Sequence, residues 1–364
     1  MSRPTDRRPV LVPALRRLWR DAHRLQLGTD PRRAVMIEFP DPAGVRVLDL
    51  LDGTRTERVL VREAAEFGIA ADDALALVAE LDRLGLVLDA PALEPTTVPE
   101  PARRRLAPEA TALALSALGH GAGRGQASPA DVLDRRRAAR VRVTGASRLA
   151  VPITCTLASA GVGHLDPAVT GVTRLSDASP AGLAPADAFR PRGLAAAEAV
   201  RRCAPDALIQ HIPPGTATVE VLVGFGAPAG LVALAHDRRQ VAHLAVSVRD
   251  GTVVVGPFVL PGRTPCLNCV DLHRRDRDPD WPALAAQLHT VAEAADTVAV
   301  TTMLVGAAYA AAEVTAHIDG GQPVTLGATV EIAGPGLERR RRWTAHPTCG
   351  CLTVDARHTR TGTS

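Results

Sequence analysis

The sequence contains no lysine, so all 42 of its basic residues are arginine. This absence excludes a P-loop lysine, a Schiff-base lysine and a pyridoxal-phosphate enzyme. We attribute the bias to compositional drift toward alanine, arginine and glycine, and the chemical exclusion holds whatever its cause.

Aromatic residues are also scarce, at 2% of the 364 residues. Base-stacking platforms for single-stranded nucleic acid need several aromatic rings on one face, and the net charge of +3 is too small for a general nucleic-acid binder. We therefore expect no nucleic-acid partner. Apolar residues make up 46% of the chain, so a sizeable core can form, and the length suits two domains.

Apolar runs that would cross a membrane are absent, and no secretory signal is recognisable near the N-terminus. The best candidate, residues 298–314, consists mainly of small residues, follows Asp296 and contains Glu313 near its end, as in a helix packed on a sheet. We therefore expect a cytoplasmic protein without a membrane partner. Its six cysteines should then be reduced thiols or metal ligands.

Three stretches of different texture predict an α/β protein. Residues 1–92 alternate strand and helix patterns, residues 93–139 are rich in proline, alanine, glycine and arginine, and residues 140–352 alternate strands and helices again. We predict a winged-helix module, a linker and a Rossmann-like domain with a mostly parallel sheet, followed by a disordered tail over 353–364. The linker arginines could form an anion-binding patch, but we favour a solvated linker and helix surface.

In the first stretch, strand patterns at 23–28 and 34–39 precede three helix patterns that end at residue 84. This arrangement is typical of a winged helix, which reads DNA or binds a peptide at a sheet edge. The third helix is acidic, which disfavours DNA. We expect an extended peptide to bind Ala34, Val35, Met36, Ile37, Glu38, Phe39, Leu75, Val78 and Asp82. A module that only stabilises its neighbour is the alternative.

The strongest chemical signal is two pairs of closely spaced cysteines, namely Cys266, Cys269, Cys349 and Cys351. Each pair lies in a predicted turn, and four thiolates form a closed tetrahedral Zn²⁺ site. We predict a structural zinc that fastens the C-terminal tail to the domain, with four free thiols as the alternative. Cys155 and Cys203 lie in apolar helix patterns, where packing is a simpler role than nucleophilic catalysis.

A weaker signal follows the strand at 140–145, where a phosphate-binding glycine loop would open a nucleotide-binding unit. Of the expected glycines only Gly145 is in place, and Ser147 and Arg148 bring side chains where bare backbone is needed. Asp166 lies near the position of a ribose-binding acid, but it precedes a proline instead of ending a clear strand. We interpret the loop as vestigial; the alternative is that Arg148 compensates for the missing glycines.

The run from Leu272 to Pro282 places His273 beside several charged residues. Catalytic acid–base chemistry is one interpretation of this run. We favour the other, a helix that ends in a charged loop with Trp281 as a packing anchor.

At these residues the sequence resembles the E1-like, ThiF-type proteins that support azoline-forming cyclodehydratases, the TOMM precursor leader peptide-binding family. The similarity lies in Val255-Gly-Pro-Phe-Val-Leu-Pro-Gly-Arg-Thr-Pro-Cys-Leu-Asn-Cys, Asp278-Pro-Asp-Trp-Pro and His346-Pro-Thr-Cys-Gly-Cys. The N-terminal stretch resembles a PqqD-like RiPP recognition element through Leu27-Gly-Thr-Asp-Pro, Leu51-Asp-Gly-Thr-Arg-Thr and Leu84-Gly-Leu-Val.

The resemblance implies that a precursor's leader peptide lies between the strand at 34–39 and the helix at 71–84, and that the four cysteines bind zinc. It also implies a separate YcaO-type cyclodehydratase that holds ATP. Active E1 enzymes use a full glycine loop, an acid for the ribose, an arginine and a lysine at the phosphates, and an aspartate for Mg²⁺. Here the loop is broken, lysine is absent, and Gly224-Phe-Gly-Ala stands where an acid is expected. ATP is therefore not expected as a cofactor of this chain alone.

The leading hypothesis is a non-catalytic protein that presents a leader peptide to its partner enzyme in bacteriocin-like natural-product biosynthesis. Two alternatives stay open. One is a divergent adenylyltransferase that activates a carboxyl terminus with ATP, and the other is a zinc-stabilised scaffold unrelated to peptide natural products. By analogy with other E1-like domains, a homodimer is a further expectation.

Overall fold

The computed structural model describes residues 5–39, 41–95, 97–118, 127–224, 228–290 and 297–352. The chain forms two compact units, residues 1–134 and 135–364. Their boundary falls inside the stretch that the sequence analysis treats as a linker. The predicted tail at 353–364 lies outside the described residues.

Two small antiparallel sheets form the β-structure of the N-terminal unit. Its strands are β1 (Pro9–Leu11), β2 (Arg17–Trp19), β3 (Arg24–Leu27), β4 (Val35–Glu38) and β5 (Val87–Asp89). β2, β3 and β4 form one sheet in that order, and β1 pairs with β5. The two strands predicted before residue 40 are confirmed as β3 and β4. β1 and β2 were not predicted, because three residues are too few for an alternating pattern.

The helices of the N-terminal unit are α1 (Arg46–Asp49), α2 (Glu57–Glu66), α3 (Ala71–Arg83), α4 (Ala90–Leu93) and α5 (Glu100–Ala117). The Thr56 hydroxyl accepts a hydrogen bond from the Val59 N–H and caps α2. α3 buries one apolar stripe, Ala74, Val78 and Leu81, against the core of this unit. All three helices predicted for this part are confirmed in position, the first as a 3-10 turn that continues into α1.

Helices occupy most of the described residues between 97 and 138. Besides α5, the chain forms α6 (Pro129–Ala138). α5 buries Leu106, Ala110 and Ala114 in a small core that also contains Leu133. These residues recur every fourth position, but two of them are alanines, so the apolar stripe is easily missed in an alanine-rich stretch. The composition suggested a solvated linker and helix surface here, and the structure describes two helices in this stretch.

An eight-stranded sheet organises the C-terminal unit. Its strands are β6 (Arg140–Gly145), β7 (His164–Val169), β8 (Leu208–Ile209), β9 (Val219–Val223), β10 (Ala242–Arg249), β11 (Thr252–Val259), β12 (Ala328–Ile332) and β13 (Glu338–Arg342). The spatial order is β13-β12-β11-β10-β9-β6-β7-β8. The five neighbouring strands β10, β9, β6, β7 and β8 pair in parallel. On the other side of β10, the strands β11, β12 and β13 extend the sheet with antiparallel pairing. The predicted mostly parallel sheet is thus confirmed.

The helices of this unit are α7 (Ala150–Ser159), α8 (Arg192–Cys203), α9 (Ala229–Arg239), α10 (Leu267–Arg277), α11 (Trp281–Thr290) and α12 (Val300–Ile318). The larger core packs α7, α8 and α12 on one face. A smaller core joins α9 and α10 to the other face through residues such as Leu222 and Ala245. Among the described helices, none has the length and apolar character needed to cross a membrane.

Three strands and one helix of the C-terminal unit were not predicted. β7 contains Asp166 and Pro167, and β13 consists of one glutamate and four arginines. Such residues have low intrinsic strand preference, so their position in the sheet outweighs local propensity. β12 follows a glycine-rich turn, and α11 begins at Trp281, which the sequence analysis placed in a charged loop.

Candidate functional site

The four motif cysteines come together at the start of α10. Cys266 is the residue that caps α10, and Cys269 lies in the first turn of this helix. Cys349 and Cys351 follow β13 in the sequence, and all four sulfur atoms lie within 4.8 Å of one another. The cluster could therefore hold a metal ion.

The sulfur spacing fits a tetrahedral zinc ion. The Sγ–Sγ distance is 3.3 Å between Cys269 and Cys351, 3.5 Å between Cys266 and Cys349, and 3.9 Å between Cys266 and Cys269. A Zn–S bond of about 2.3 Å in a regular tetrahedron separates the sulfurs by roughly 3.8 Å. Four sulfur ligands would fill every coordination position.

Hydrogen bonds within the cluster concentrate negative charge on one sulfur. The Cys266 thiol donates to Cys269 and lowers the pKa of Cys269 to about 4, and the backbone N–H of His346 contributes from 3.3 Å. Burial, together with the hydrogen bond to Cys269, raises the pKa of Cys351 to about 12. The Asn268 amide also donates to the Cys349 sulfur. Without a cation the cluster therefore stabilises one thiolate and opposes a second, whereas a bound cation would stabilise all four.

His346 lies in the segment that follows β13, here called the tail segment, and it contacts α10 beside the cysteines. Its Nε2 lies 2.7 Å from a carboxylate oxygen of Asp276, and its Nδ1 accepts from the Thr348 backbone N–H. The hydrogen bond from His346 is the main cause of the lowered pKa of Asp276. From the sequence, His346 is recognisable only as part of a motif, because its partner is a helix residue 70 positions away.

The other candidate site lies in the N-terminal unit, where β4 is an edge strand. It pairs with β3 on one side, and no described strand pairs with its other side. Val35 and Ile37 are half-buried and pack on the core that contains Leu25 and Leu27. The remaining predicted residues of this segment differ in exposure: Ala34 is half-buried, Met36 and Glu38 are exposed, and Phe39 is buried.

Backbone hydrogen bonds define which groups of β4 face outward. The Phe39 N–H donates to the His23 carbonyl at 2.8 Å, which makes this a hydrogen-bonded pair of the β3–β4 ladder. Hydrogen-bonded and non-hydrogen-bonded pairs alternate along an antiparallel ladder. Val35 and Ile37 therefore bond to β3, and the N–H and C=O groups of Met36 and Glu38 point to the open edge.

The predicted residues of α3 differ in what they can contact. Val78 is 2% exposed, so it supports the core beneath the predicted groove and does not form its surface. Leu75 is half-buried and keeps accessible apolar surface. Asp82 forms an ion pair with Arg7, so its carboxylate already has a cationic partner.

The loop after β6 is closed by contacts within the C-terminal unit. Gly145 has φ +118°, and a Cβ there would lie 1.8 Å from the Val223 carbonyl oxygen. The close approach of β6 to β9 is thus sufficient reason for a glycine at this position. Ser147 is buried, and its hydroxyl accepts from the Leu149 N–H at 3.2 Å.

A buried ion pair packs against the same loop. Arg192, the first residue of α8, donates to the Ala146 carbonyl and to a carboxylate oxygen of Asp177, the latter at 2.9 Å. Asp166 lies inside β7 and accepts from the Ile212 N–H at 2.9 Å. Because Asp166 is held within the strand, it does not stand at the strand end that a ribose-binding acid occupies. Arg148, in the same loop, is half-buried.

A row of ionisable side chains crosses four neighbouring parallel strands, and local sequence patterns give no sign of it. His243, Glu220, Arg142 and Asp166 occupy directly opposed positions on β10, β9, β6 and β7. Arg142 lies 3.1 Å from Glu220 and 3.4 Å from Asp166. Burial alone would raise the pKa of Glu220, but the hydrogen bond from His236 and the charge of Arg142 lower it overall. Burial lowers the pKa of His243 to about 4, so its ring stays neutral.

The His273 region has packing contacts of the kind that the sequence analysis favoured. The His273 ring nitrogen Nε2 lies 3.0 Å from the Thr344 carbonyl oxygen, and the ring contacts that of His346. The Trp281 indole N–H donates to Asp271 at 2.6 Å. These contacts join α10, α11 and the segment that follows β13.

Comparison with solved structures relates the whole fold to known proteins. E. coli MccB with SeMet MccA superposes with a TM-score of 0.63 at 14% identity, over 95% of this chain and 99% of that chain. The chain shares the fold of MccB. The Microcin C7 biosynthetic enzyme MccB in complex with N-formylated MccA has a TM-score of 0.63 at 13% identity, over 94% of this chain and 99% of that one.

The heterocyclase TruD also matches, with a TM-score of 0.62 at 12% identity, and the match covers 95% of this chain and 43% of TruD. No protein-family model and no curated protein matches the sequence. At these identities the likeness to MccB and TruD establishes the fold alone, and it supports the E1-like fold expected from the sequence.

Proposed function

We propose that the N-terminal unit binds the leader segment of a ribosomally synthesised precursor peptide by strand addition to β4. The observation that carries the proposal is the open edge of β4, where the backbone groups of Met36 and Glu38 lack a partner strand among the described residues. An extended peptide supplies the missing N–H and C=O groups. The accessible apolar surface of Leu75 on α3 would contact alternate side chains of the peptide.

The comparisons support the same class of function. MccB is a biosynthetic enzyme whose structures include MccA, and TruD is a heterocyclase. Both share the fold of this chain over nearly its whole length. The fold therefore favours the class of proteins that act on precursor peptides. Which peptide is the substrate has to be inferred from the binding surface itself.

In this proposal the four cysteines hold a structural Zn²⁺. Such an ion would join α10 to the segment after β13 and contribute folding energy, since no coordination position is open for a reactant. His346 would position the tail segment through Asp276 before or while the ion binds. The C-terminal unit would thus be a stable body for docking a partner enzyme.

We further propose that the chain presents its peptide to a YcaO-type cyclodehydratase and does not activate the peptide itself. Three observations support this. Lysine is absent, the loop at 145–149 bonds to Arg192 and to its own residues, and Asp166 is held inside β7. Arg192, which is paired with Asp177, already donates to the Ala146 carbonyl of this loop.

Calorimetric titration tests the binding step. The purified chain is titrated with the synthetic leader segment of a precursor encoded beside its gene, and with a scrambled version of the same peptide. We expect saturable binding of the leader and none of the scrambled peptide. Absence of binding to every neighbouring precursor would contradict the proposal.

Reconstitution tests the presentation step. The precursor, ATP and the neighbouring YcaO-type enzyme are incubated with and without this chain, and the loss of water from the peptide is followed by mass spectrometry. We expect dehydrated product only when the chain is present. ATP–pyrophosphate exchange by the chain alone would instead favour an adenylyltransferase.

A further inference from the structure

Two cysteines outside the metal cluster face one another between α7 and α8. Cys155 lies in α7 and is buried, and Cys203 is the last residue of α8 and is half-buried. The Cys203 sulfur lies 3.7 Å from the carbonyl oxygen of Cys155 and 3.3 Å from that of Val200. The two thiols also hydrogen-bond to each other.

A surface cavity of about 340 Å³ brings small molecules within reach of this pair. Both cysteines line it, together with Thr156, Pro180 and Arg202. Arg202 donates to Asp187 at 2.9 Å and keeps its guanidinium on the cavity wall. A packing role alone would leave both thiols enclosed, whereas here they border solvent-accessible space beside a cation.

We propose that Cys155 and Cys203 form a dithiol site that low-molecular-weight disulfides oxidise reversibly. The Cys203 thiolate attacks one sulfur of the small disulfide, the S–S bond breaks, and one small thiolate leaves. Cys155 then loses its proton and attacks the Cys203 sulfur, which releases the second small thiolate and forms the Cys155–Cys203 bond. The protein gives up two electrons and two protons, and the small disulfide takes them up as two thiols.

The surroundings of the two sulfurs determine the order of these steps. The hydrogen bond with Cys203 and burial both raise the pKa of Cys155, so this residue stays protonated in the resting dithiol. Cys203 is the more accessible of the two. It is therefore the attacking residue, and Cys155 is the one that resolves the mixed disulfide. Arg202 would attract the carboxylates that small cellular disulfides carry.

Oxidised glutathione and trypsin test the site on the full-length protein. Because the chain has no lysine, trypsin cuts only after arginine, and Cys155 and Cys203 fall in the peptides 149–174 and 203–238. We expect these two peptides to appear as one disulfide-linked species, which a reducing agent separates. The Cys155→Ser variant should instead accumulate glutathione on Cys203, and the Cys203→Ser variant should leave Cys155 unmodified.

Three results would overturn the proposal. One is a wild-type protein that carries glutathione on Cys203 without forming the linked peptides. Another is equal modification of Cys155 in the Cys203→Ser variant, which would mean that Cys155 reacts on its own. The third is oxidation of the four metal-cluster cysteines while the peptides 149–174 and 203–238 remain reduced. The test needs neither a leader peptide nor a partner enzyme, so it is independent of the proposed function.

Discussion

Replacing Met36 with proline removes one backbone N–H from the open edge of β4, and this tests whether a peptide binds there by strand addition. In the β3–β4 ladder the inward hydrogen bonds belong to Val35 and Ile37, so the N–H of Met36 serves only the open edge. Its side chain is 48% exposed and contributes little to the core. Proline is tolerated on an edge strand whose N–H faces outward. Met36→Pro should therefore remove one donor from the peptide-binding edge and leave the fold in place.

The expected loss follows from one backbone hydrogen bond. Its net contribution is about 1 kcal/mol, rising to about 3 kcal/mol when the carbonyl of the bound peptide is left buried without a donor. At a factor of ten for about 1.4 kcal/mol, the dissociation constant for the leader peptide should rise between about 5-fold and 150-fold. Calorimetric titration measures this change directly.

The matched control is Met36→Val, which keeps the N–H and changes only the exposed side chain. It should bind the leader peptide like the wild type, and thermal unfolding of both variants should show that the N-terminal unit remains folded. The reasoning is refuted if the folded Met36→Pro protein binds as tightly as wild type, or if Met36→Val loses as much affinity.

The C-terminal unit allows three further predictions. Cys349→Ser should abolish stoichiometric zinc binding, measured by elemental mass spectrometry, and should lower the unfolding temperature. Cys155→Ser is the control and should keep its zinc. An equal loss of zinc from both variants would refute the assignment. Asp177→Asn leaves the buried Arg192 guanidinium without its counter-charge, so the free energy of unfolding should fall by about 3–5 kcal/mol; a change below about 1 kcal/mol would mean that water already shields this pair. Because the pKa of His243 is lowered from 6.5 to about 4, the unfolded chain binds this proton more readily, and stability is lost as the pH falls from 6.5 toward 4, by at most about 3 kcal/mol. His243→Gln should flatten that part of the pH profile of denaturant unfolding, and an unchanged profile would assign the loss to other groups.

Periodic patterns located the elements whose side chains alternate or recur over enough residues. β6 has the predicted limits, and α3 ends one residue before its predicted limit. Each carries a complete apolar pattern and ends at or near a glycine, Gly145 for β6 and Gly85 for α3. The limits of α5 were missed because alanine gives little contrast between a buried and an exposed face. β13 was missed for the opposite reason, since its arginines give no apolar signal at all.

The candidate metal centre could be predicted because its chemistry is local. Two pairs of cysteines at short spacing bring two sulfurs together in each pair, whatever the rest of the fold does. Its supporting contact between His346 and Asp276 could not be predicted, because it joins residues that become neighbours only when the tail returns to α10.

The sequence by itself determined the chemistry that is excluded, the cysteine pairs of the candidate metal centre and the strand and helix patterns, since each depends on residue type and short spacing. Only the tertiary structure decided that β4 has an open edge, that Arg192 and Asp177 pack against the loop after β6, and that His243, Glu220, Arg142 and Asp166 form one row. Strand order and register place these groups together, and both depend on contacts between residues far apart in the chain.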